Sequence, residues 1–598
     1  MRQAQSAIIL FICTVKSLKT LLPYFKAYRL KIGLGLLFII LANLFKTYNP
    51  VVVRNAIDNL QQTLASNDIV DPNIINKSIL SFAALYLIVA LIEGIFTFFM
   101  RQTIIVVSRN IEFDLKNKIY NHYQYLDQAF YRKNQTGDLM NRVTEDVSKV
   151  RMFIGPSIMY SVNLLMMFIF CAVNMFNVNW QLSLLVLIPL PFLSFTLFKL
   201  NKKINKTSED LQSRLSDLTT MAQESFSGIR VIKSYVQESS MSRFFKKESE
   251  DYRNKSLYLA KVEAFYFPFI QFLIGLSLVS IIYFGGNMQI GNTISAGNIA
   301  EFLLYLNMLT FPMSALGWAV ALTQQAAVSM RRINEFLEKK PSVINEKGAM
   351  DAIQGDISFD NVSFTYEDSG IEALKNINLT IKKGEKIAIL GTTGSGKTTL
   401  LDLILRMYDT TGGRIKIDHK NIENINTSKL RESIAYVPQD VFLFSDTIES
   451  NILFSQRDKQ KSAQELARQA AIGNEIEQFE KGYNTLVGER GVTLSGGQKQ
   501  RISIARALGA NPKILLMDDC LSAVDANTEK EIEENLSIAT KNTTVIIVTH
   551  RILSNFDFDQ IVVLHQGEIK EMGKHDELME KKGMYYNLNL LQRNDNKN

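Results

Sequence analysis

Six stretches of about 20 mostly apolar residues fill the first half of the chain, near residues 32–49, 79–100, 153–175, 180–200, 265–284 and 299–322. A helix of that length crosses the roughly 30 Å hydrocarbon core of a bilayer with its backbone polar groups paired internally. Buried helices of a large soluble protein are the alternative, but these runs are long, and their flanks are asymmetric in charge. The intervals 101–151 and 201–263 are rich in cations, among them Arg109, Lys116, Lys118, Arg132, Lys133, Arg142, Lys202, Lys203 and Lys206. The connections 177–179 and 285–298 carry none, and 52–78 only Arg54 and Lys77. Because Lys and Arg resist translocation, both termini and the two long intervals are predicted on the cytoplasmic side. Helical periodicity persists through those intervals, so the spanning helices are expected to continue well beyond the membrane.

The rest of the chain has a different character. At 598 residues it is too long for one core, and its 47% hydrophobic content averages an apolar half with a more polar one. The net charge of +7 does not point to nucleic acid, because Lys and Arg alternate with Asp and Glu and form no basic stripe. Cys13, Cys171 and Cys520 are too far apart for a disulfide framework or a zinc site and are expected to be structural. The apolar run 7–15 lacks a clear cleavage site and is predicted to be a membrane-surface lead-in. The expected organisation is a transmembrane domain over 1–335, a linker over 336–354 with Pro341, and an α/β domain with a largely parallel sheet over 355–598.

In that last domain the apolar run 387–390 leads into Gly391, Thr392, Thr393, Gly394, Ser395, Gly396, Lys397, Thr398 and Thr399, followed by a helical pattern. This is a phosphate-binding loop in the strand-to-helix setting it requires. Glycines let successive N–H groups curl around phosphate oxygens, and the helix start adds its positive dipole end. Lys397 is expected to reach the β and γ phosphates, and the Thr398 hydroxyl to ligate Mg²⁺. A second apolar strand, 514–517, ends in Asp518 and Asp519, with Asp518 placed to hold Mg²⁺ through water. Nucleotide use follows from these features; transport does not.

The sequence Leu494-Ser495-Gly496-Gly497-Gln498, followed by Gln500 and Arg501, lies about twenty residues before that strand. Here the chain resembles the ATP-binding-cassette (ABC) family, whose signature is LSGGQ. The resemblance covers 355 to about 591 and implies a phosphate-loop ATPase fold, RecA-like with a helical subdomain, using ATP and Mg²⁺. It implies Tyr366 as the aromatic stacked on adenine, Gln439 as a Q-loop residue acting in catalysis and on the metal, Ser522 to Asp525 as a D-loop, and His550 as the switch histidine. It further implies two domains closing head to tail, each ATP held between one chain's phosphate loop and Ser495, Gly496, Gly497 and Gln498 of the other. Donors at a helix start suit a γ-phosphate presented by a partner.

One position departs from the family. The residue after the Mg²⁺-binding Asp is normally Glu, the group that activates water; here Asp519 retains the carboxylate on a stem one methylene shorter. That resembles one member of the heterodimeric exporters, in which one chain has a slow pocket and an intact signature for its partner. A second half-transporter is therefore the expected partner, and a homodimer with a slowed site is the alternative.

Two segments resemble exporter coupling regions, 130–139 and 224–235, where Gly137 and Gly228 are expected to permit sharp turns. The implied function is ATP-driven export of hydrophobic or amphipathic compounds, drugs or lipids, from a cell membrane (plasma or inner) with the N-terminus and ATPase domain cytoplasmic. Membrane lipids and a hydrophobic small molecule are the other expected partners. Glu93 stands out as an intramembrane carboxylate, either functional or a helix-packing hydrogen bond. A soluble chromosome-maintenance ATPase would need a long coiled-coil insertion and no spans. An ATP-gated channel shares the architecture. A peptide-secretion system with its own peptidase is not expected, since no further domain precedes the first apolar run.

Overall fold

The computed structural model describes residues 17–65, 72–343, 352–456, 461–488, 491, 494–522, 524–553 and 556–595. The 7–15 run and positions 344–351 of the expected linker lie outside the described residues. The chain forms two compact units, Met1–Gln124 with Gly137–Lys339, and Tyr125–Thr136 with Lys340–Asn598.

The first unit is helical. Among the described residues four helical stretches are long and apolar enough to cross a membrane: Arg29–Thr63, Ile75–Tyr125, Thr136–Val178 and Glu238–Ile290. The spans expected at 180–200 and 299–322 fall in helices Trp180–Leu187, Pro189–Ser227 and Ala296–Leu337, where part of the side chains lie outside the description. At 54 residues, helix Pro72–Tyr125 is about 80 Å long, far more than a bilayer needs. Helix starts follow local chemistry. Pro72 occupies the first position of its helix. The Asn179 side chain accepts from Leu182 N, and Ser295 and Asn298 form a reciprocal capping box. Gly155 has a packing reason: a Cβ there would meet Ser108 Oγ at 2.6 Å.

Of the two turns expected in the coupling-like segments, Gly228 stands at the junction of the long helix Pro189–Ser227 and the short helix Ile229–Ser234, although its φ of −91° is one any residue adopts, whereas Gly137 lies inside the short helix Thr136–Asn141. In addition, Asp127 caps helix Gln128–Lys133 by accepting from Phe130 N, and Val236, at φ 53°, makes the bend after helix Ile229–Ser234.

Polar side chains join the apolar helices. Glu93 is not the singular carboxylate of the spans: it pairs with Lys46 at 3.8 Å, and Glu301, 1% exposed, receives Arg54 Nη1 at 3.1 Å. The Tyr305 hydroxyl lies 3.1 Å from Glu301 Oε1 and 3.0 Å from Thr47 O. Asp58 accepts from Ser295 Oγ and Gly297 N at 2.7 and 2.9 Å. Arg54→Met removes the cation from a buried carboxylate, which costs about 3 kcal/mol. The expected result is a lower thermal unfolding temperature of the detergent-solubilised chain, largely recovered by adding Glu301→Gln; equal temperatures for wild type and Arg54→Met count against the pair.

The second unit holds two sheets. Strands Ile434–Val437, Ile514–Asp518, Thr544–Thr549, Lys386–Leu390 and Gln560–His565 run parallel in that spatial order, and Glu568–Gly573 closes the edge antiparallel. Their central members are buried on both faces, which explains their unbroken Ile, Val and Leu content. A four-stranded antiparallel sheet, with Ile357–Thr365 between Glu372–Ile381 and Gly412–Ile417, packs in the same core through Phe359, Leu379 and Ile415. Helices Ile448–Leu453, Ala463–Gln469, Gly473–Glu477 and Gly496–Gly509 form the helical portion around Ile452, Leu466, Ile476 and Ile504.

Candidate nucleotide site

Parallel strands deliver the site. Lys386–Leu390 ends at the phosphate loop, neighbouring Thr544–Thr549 ends just before His550, and Ile514–Asp518 ends at the paired carboxylates. Loops at the carboxyl ends of such strands are where α/β sheets bind ligands. A cavity of about 550 Å³ there is lined by Tyr366, Thr393 to Thr399, Gln439, Asp518, Asp519 and His550, together with Arg132. Residues far apart in sequence, from Arg132 to His550, thus meet in one place, as the phosphate-loop chemistry requires.

The loop geometry is that of an anion cradle. Gly394 and Gly396 have φ of 79° and 100°, a region L side chains rarely enter, and Gly396 precedes helix Lys397–Ile404. A Cβ on Gly396 would also collide with Ala373 O, while Gly394 opens onto free space. Gly391 and Thr392 do not line the cavity; their carbonyls accept from Lys397 Nζ, both at 2.9 Å. Burial pushes the Lys397 ammonium below its ordinary range, while the Asp518 and Asp519 charges pull it back up. Burial raises Asp518, which accepts a hydrogen bond from Thr398. Among the described residues, Ser395 Oγ and Asp518 Oδ2 are buried with no hydrogen-bond partner. Two such oxygens near the Lys397 ammonium, on a glycine-bent loop that leads into a helix start, fit Mg²⁺ and a polyphosphate. Thr398 and Asp518 are the residues that could hold the metal, with exposed Gln439 at the cavity edge.

Asp519 sits at φ 45°, with its N–H donating to Val548 O at 2.8 Å and its carbonyl accepting from Ser522 Oγ at 3.0 Å. The backbone is fixed, so reach depends on side-chain length alone. Asp402, on the phosphate-loop helix, escaped the sequence reading. Burial and the Asp518 charge push its carboxyl up to about 6, with Arg132 opposing. The folded chain therefore keeps a proton that the unfolded chain has lost, and this group's contribution to stability falls as pH rises from about 4 through 6. Because the side chain is only half-buried, we expect Asp402→Asn to stabilise the protein by about 1–2 kcal/mol at pH 8 and by little at pH 4, measured by denaturant unfolding. A gain independent of pH would rule out this origin.

The signature residues do not line this cavity. Ser495 caps helix Gly496–Gly509 by accepting from Gln498 N at 3.3 Å, and Gln498 Oε1 accepts from Ser495 N at 3.0 Å. Gln498 Nε2 also donates to Glu475, so its amide is committed inside the domain, whereas Ser495 and Gly496 are exposed at the helix start. Tyr366 is held by its hydroxyl, 3.0 Å from Thr399 Oγ1.

A helical domain with stretches long and apolar enough to cross a membrane, joined to a phosphate-loop ATPase whose signature is exposed at a helix start, defines a transporter driven by nucleotide. Residues 32–313 match the ABC transporter transmembrane region family and 374–522 the ABC transporter family. The chain is 35% identical to YheI of Bacillus subtilis (strain 168), a probable multidrug resistance ABC transporter ATP-binding/permease protein, covering 95% of this chain and 96% of that one. It is 34% identical to the ATP-dependent lipid A-core flippase of Syntrophus aciditrophicus (strain SB), covering 86% and 85%. A bacterial Atm1-family ABC exporter with ATP bound has the same fold, with a TM-score of 0.76 at 23% identity over 94% of this chain and 98% of that one. The chain belongs to the ABC transporter family.

Proposed function

We propose that this chain is one subunit of a dimeric exporter that uses ATP to move hydrophobic or amphipathic compounds across a cell membrane, with its ATPase unit cytoplasmic. One observation carries the reading: phosphate loop, Asp518, Asp519, Gln439 and His550 share a cavity, while Ser495 and Gly496 stand exposed away from it. A pocket that lacks the signature's γ-phosphate donors is completed by a second cassette. The names of YheI and of the lipid A-core flippase support drugs or lipids as the cargo class.

Bound Mg-ATP supplies the transferable phosphoryl group and the neutralising charge. Tyr366 offers a ring for the base, and Lys397 with the loop N–H groups orients the phosphates. Thr398 and Asp518 would hold the metal. Asp519 orients the attacking water from a carboxylate set back by more than about 1 Å relative to glutamate, a displacement worth on the order of 10²-fold in rate. Closure of the two cassettes then favours an outward-open membrane cavity, and hydrolysis reverses it.

The short Asp519 carboxylate favours a heterodimer, in which this pocket turns over slowly and Ser495 and Gly497 serve a faster pocket on the partner. The second reading is a homodimeric lipid flippase; the name of the flippase relative supports the lipid cargo, and the carboxylate that Asp519 retains is compatible with two like pockets. The test is reconstitution of the purified chain alone in vesicles with a fluorescent amphipathic amine or a labelled phospholipid. Slow Mg-ATP turnover and transport that rise when the second subunit is added support the heterodimer; brisk turnover and transport by this chain alone select the homodimer. Passive ion current without ATP-coupled flux defeats both.

A further inference from the structure

Segment Tyr125–Thr136 belongs to the ATPase unit although it is covalently continuous at both ends with helices of the other unit. Asp127 anchors it, accepting from Phe130 N, Ser342 N, Ser342 Oγ and Val343 N. At the far end of helix Gln128–Lys133, the Arg132 guanidinium lies 4.1 Å from the centroid of the Tyr366 ring. Arg132 Nε is 3.1 Å from Asp368 Oδ2, and the guanidinium also bonds the Tyr408 hydroxyl. Tyr366 has little freedom, being tied to Thr399 and flanked edge-on by Phe364 and Tyr408 at 4.9 and 5.6 Å. Arg132 and Tyr366 line the same cavity as the phosphate loop.

A guanidinium and a purine both bind an aromatic face, and one face takes one of them at a time. We propose that Arg132 is a positioning residue that reads base occupancy: it covers the cavity side of Tyr366 until a nucleobase takes that face, and its displacement shifts the segment 125–136. The proposal rests on Tyr366 as the base platform. Asp368 and Tyr408 keep hold of the guanidinium after it leaves the ring, so the exchange forfeits only the stacking contact. A triphosphate without a base would fill the loop and leave Arg132 where it is. ATP binding is thereby reported to the membrane helices through the base, separately from the phosphates.

The test compares affinity for Mg-ATP with affinity for Mg-tripolyphosphate, which lacks the base, using the full chain in lipid nanodiscs. Loss of a cationic charge affects both polyanions, so the ratio isolates the ring face. Arg132→Ala should shift that ratio about fivefold in favour of ATP, since a cation–π contact no longer competes. Arg132→Lys, which keeps the charge, should fall between. Substrate stimulation of ATPase should drop in Arg132→Ala, because base binding no longer moves the segment. A ratio that is unchanged or falls overturns the proposal, the latter because Arg132 would then be clamping the base. Tyr366→Ala checks the platform separately: if it leaves the ATP to tripolyphosphate ratio at the wild-type value, the assignment of Tyr366 itself fails.

Discussion

Lys397→Ala should lower Mg-ATP turnover and ATP-dependent transport by about 10²–10³-fold, the scale of removing one preorganised group from developing negative charge. The side chain is 6% exposed in a cavity whose carboxylates, Asp518 and Asp519, would repel a polyphosphate without it. Its loss should not unfold the domain. Burial disfavours the ammonium, and its two hydrogen bonds go to carbonyls of the same loop, so the charge is retained at a cost to stability. Thermal unfolding without nucleotide is therefore expected to be unchanged or slightly raised, while the stabilisation given by Mg-ATP disappears. A variant that hydrolyses ATP within a few-fold of wild type contradicts the assignment of this pocket.

Asp519→Glu is expected to act in the opposite direction, raising single-turnover hydrolysis in this chain's own pocket by up to about 10²-fold. The Val548 and Ser522 hydrogen bonds fix the backbone, so the added methylene is spent on reach. Asp tolerates the left-handed φ of 45° better than Glu, so the faster variant should also be slightly less stable. Asp519→Asn keeps the shorter length without the charge and should be slower than wild type. Rapid-quench measurement of γ-phosphate release checks all three; a glutamate variant no faster than wild type would mean that carboxylate reach is not what limits this site.

What could be read from the sequence was chemistry carried by contiguous residues in a fixed strand-to-helix setting. The phosphate loop, the carboxylates after Met517 and the signature each announce themselves within a few positions, and the strands around them are apolar because both faces are buried. The parallel sheet was legible for the same reason, whereas the antiparallel one, with polar residues alternating along its strands, was not. Pairs made by the fold left no local trace. Arg54 and Glu301 are 247 positions apart, and Arg132 reads as one more cation in a basic interval until Tyr366 lies beneath it. Asp402 looks like the polar face of a short helix; its altered acidity comes from Asp518 and the surrounding burial. Gly228 marks a helix junction as its residue type suggests, but Gly137 lies within a helix, and the cap and bend made by Asp127 and Val236 depend on neighbours.

The claim on which the rest depends is that each ATP is enclosed by two cassettes. Introducing Ser495→Cys and Thr393→Cys, separately and on opposing subunits, and oxidising with and without Mg-ATP tests it most directly, since one position stands exposed at the signature helix and the other lines the phosphate cavity. The expected result is a covalent dimer that forms with Mg-ATP, only when both cysteines are present, and that Lys397→Ala suppresses. Full ATPase and transport activity with no intersubunit cross-link under saturating Mg-ATP would contradict the shared pocket.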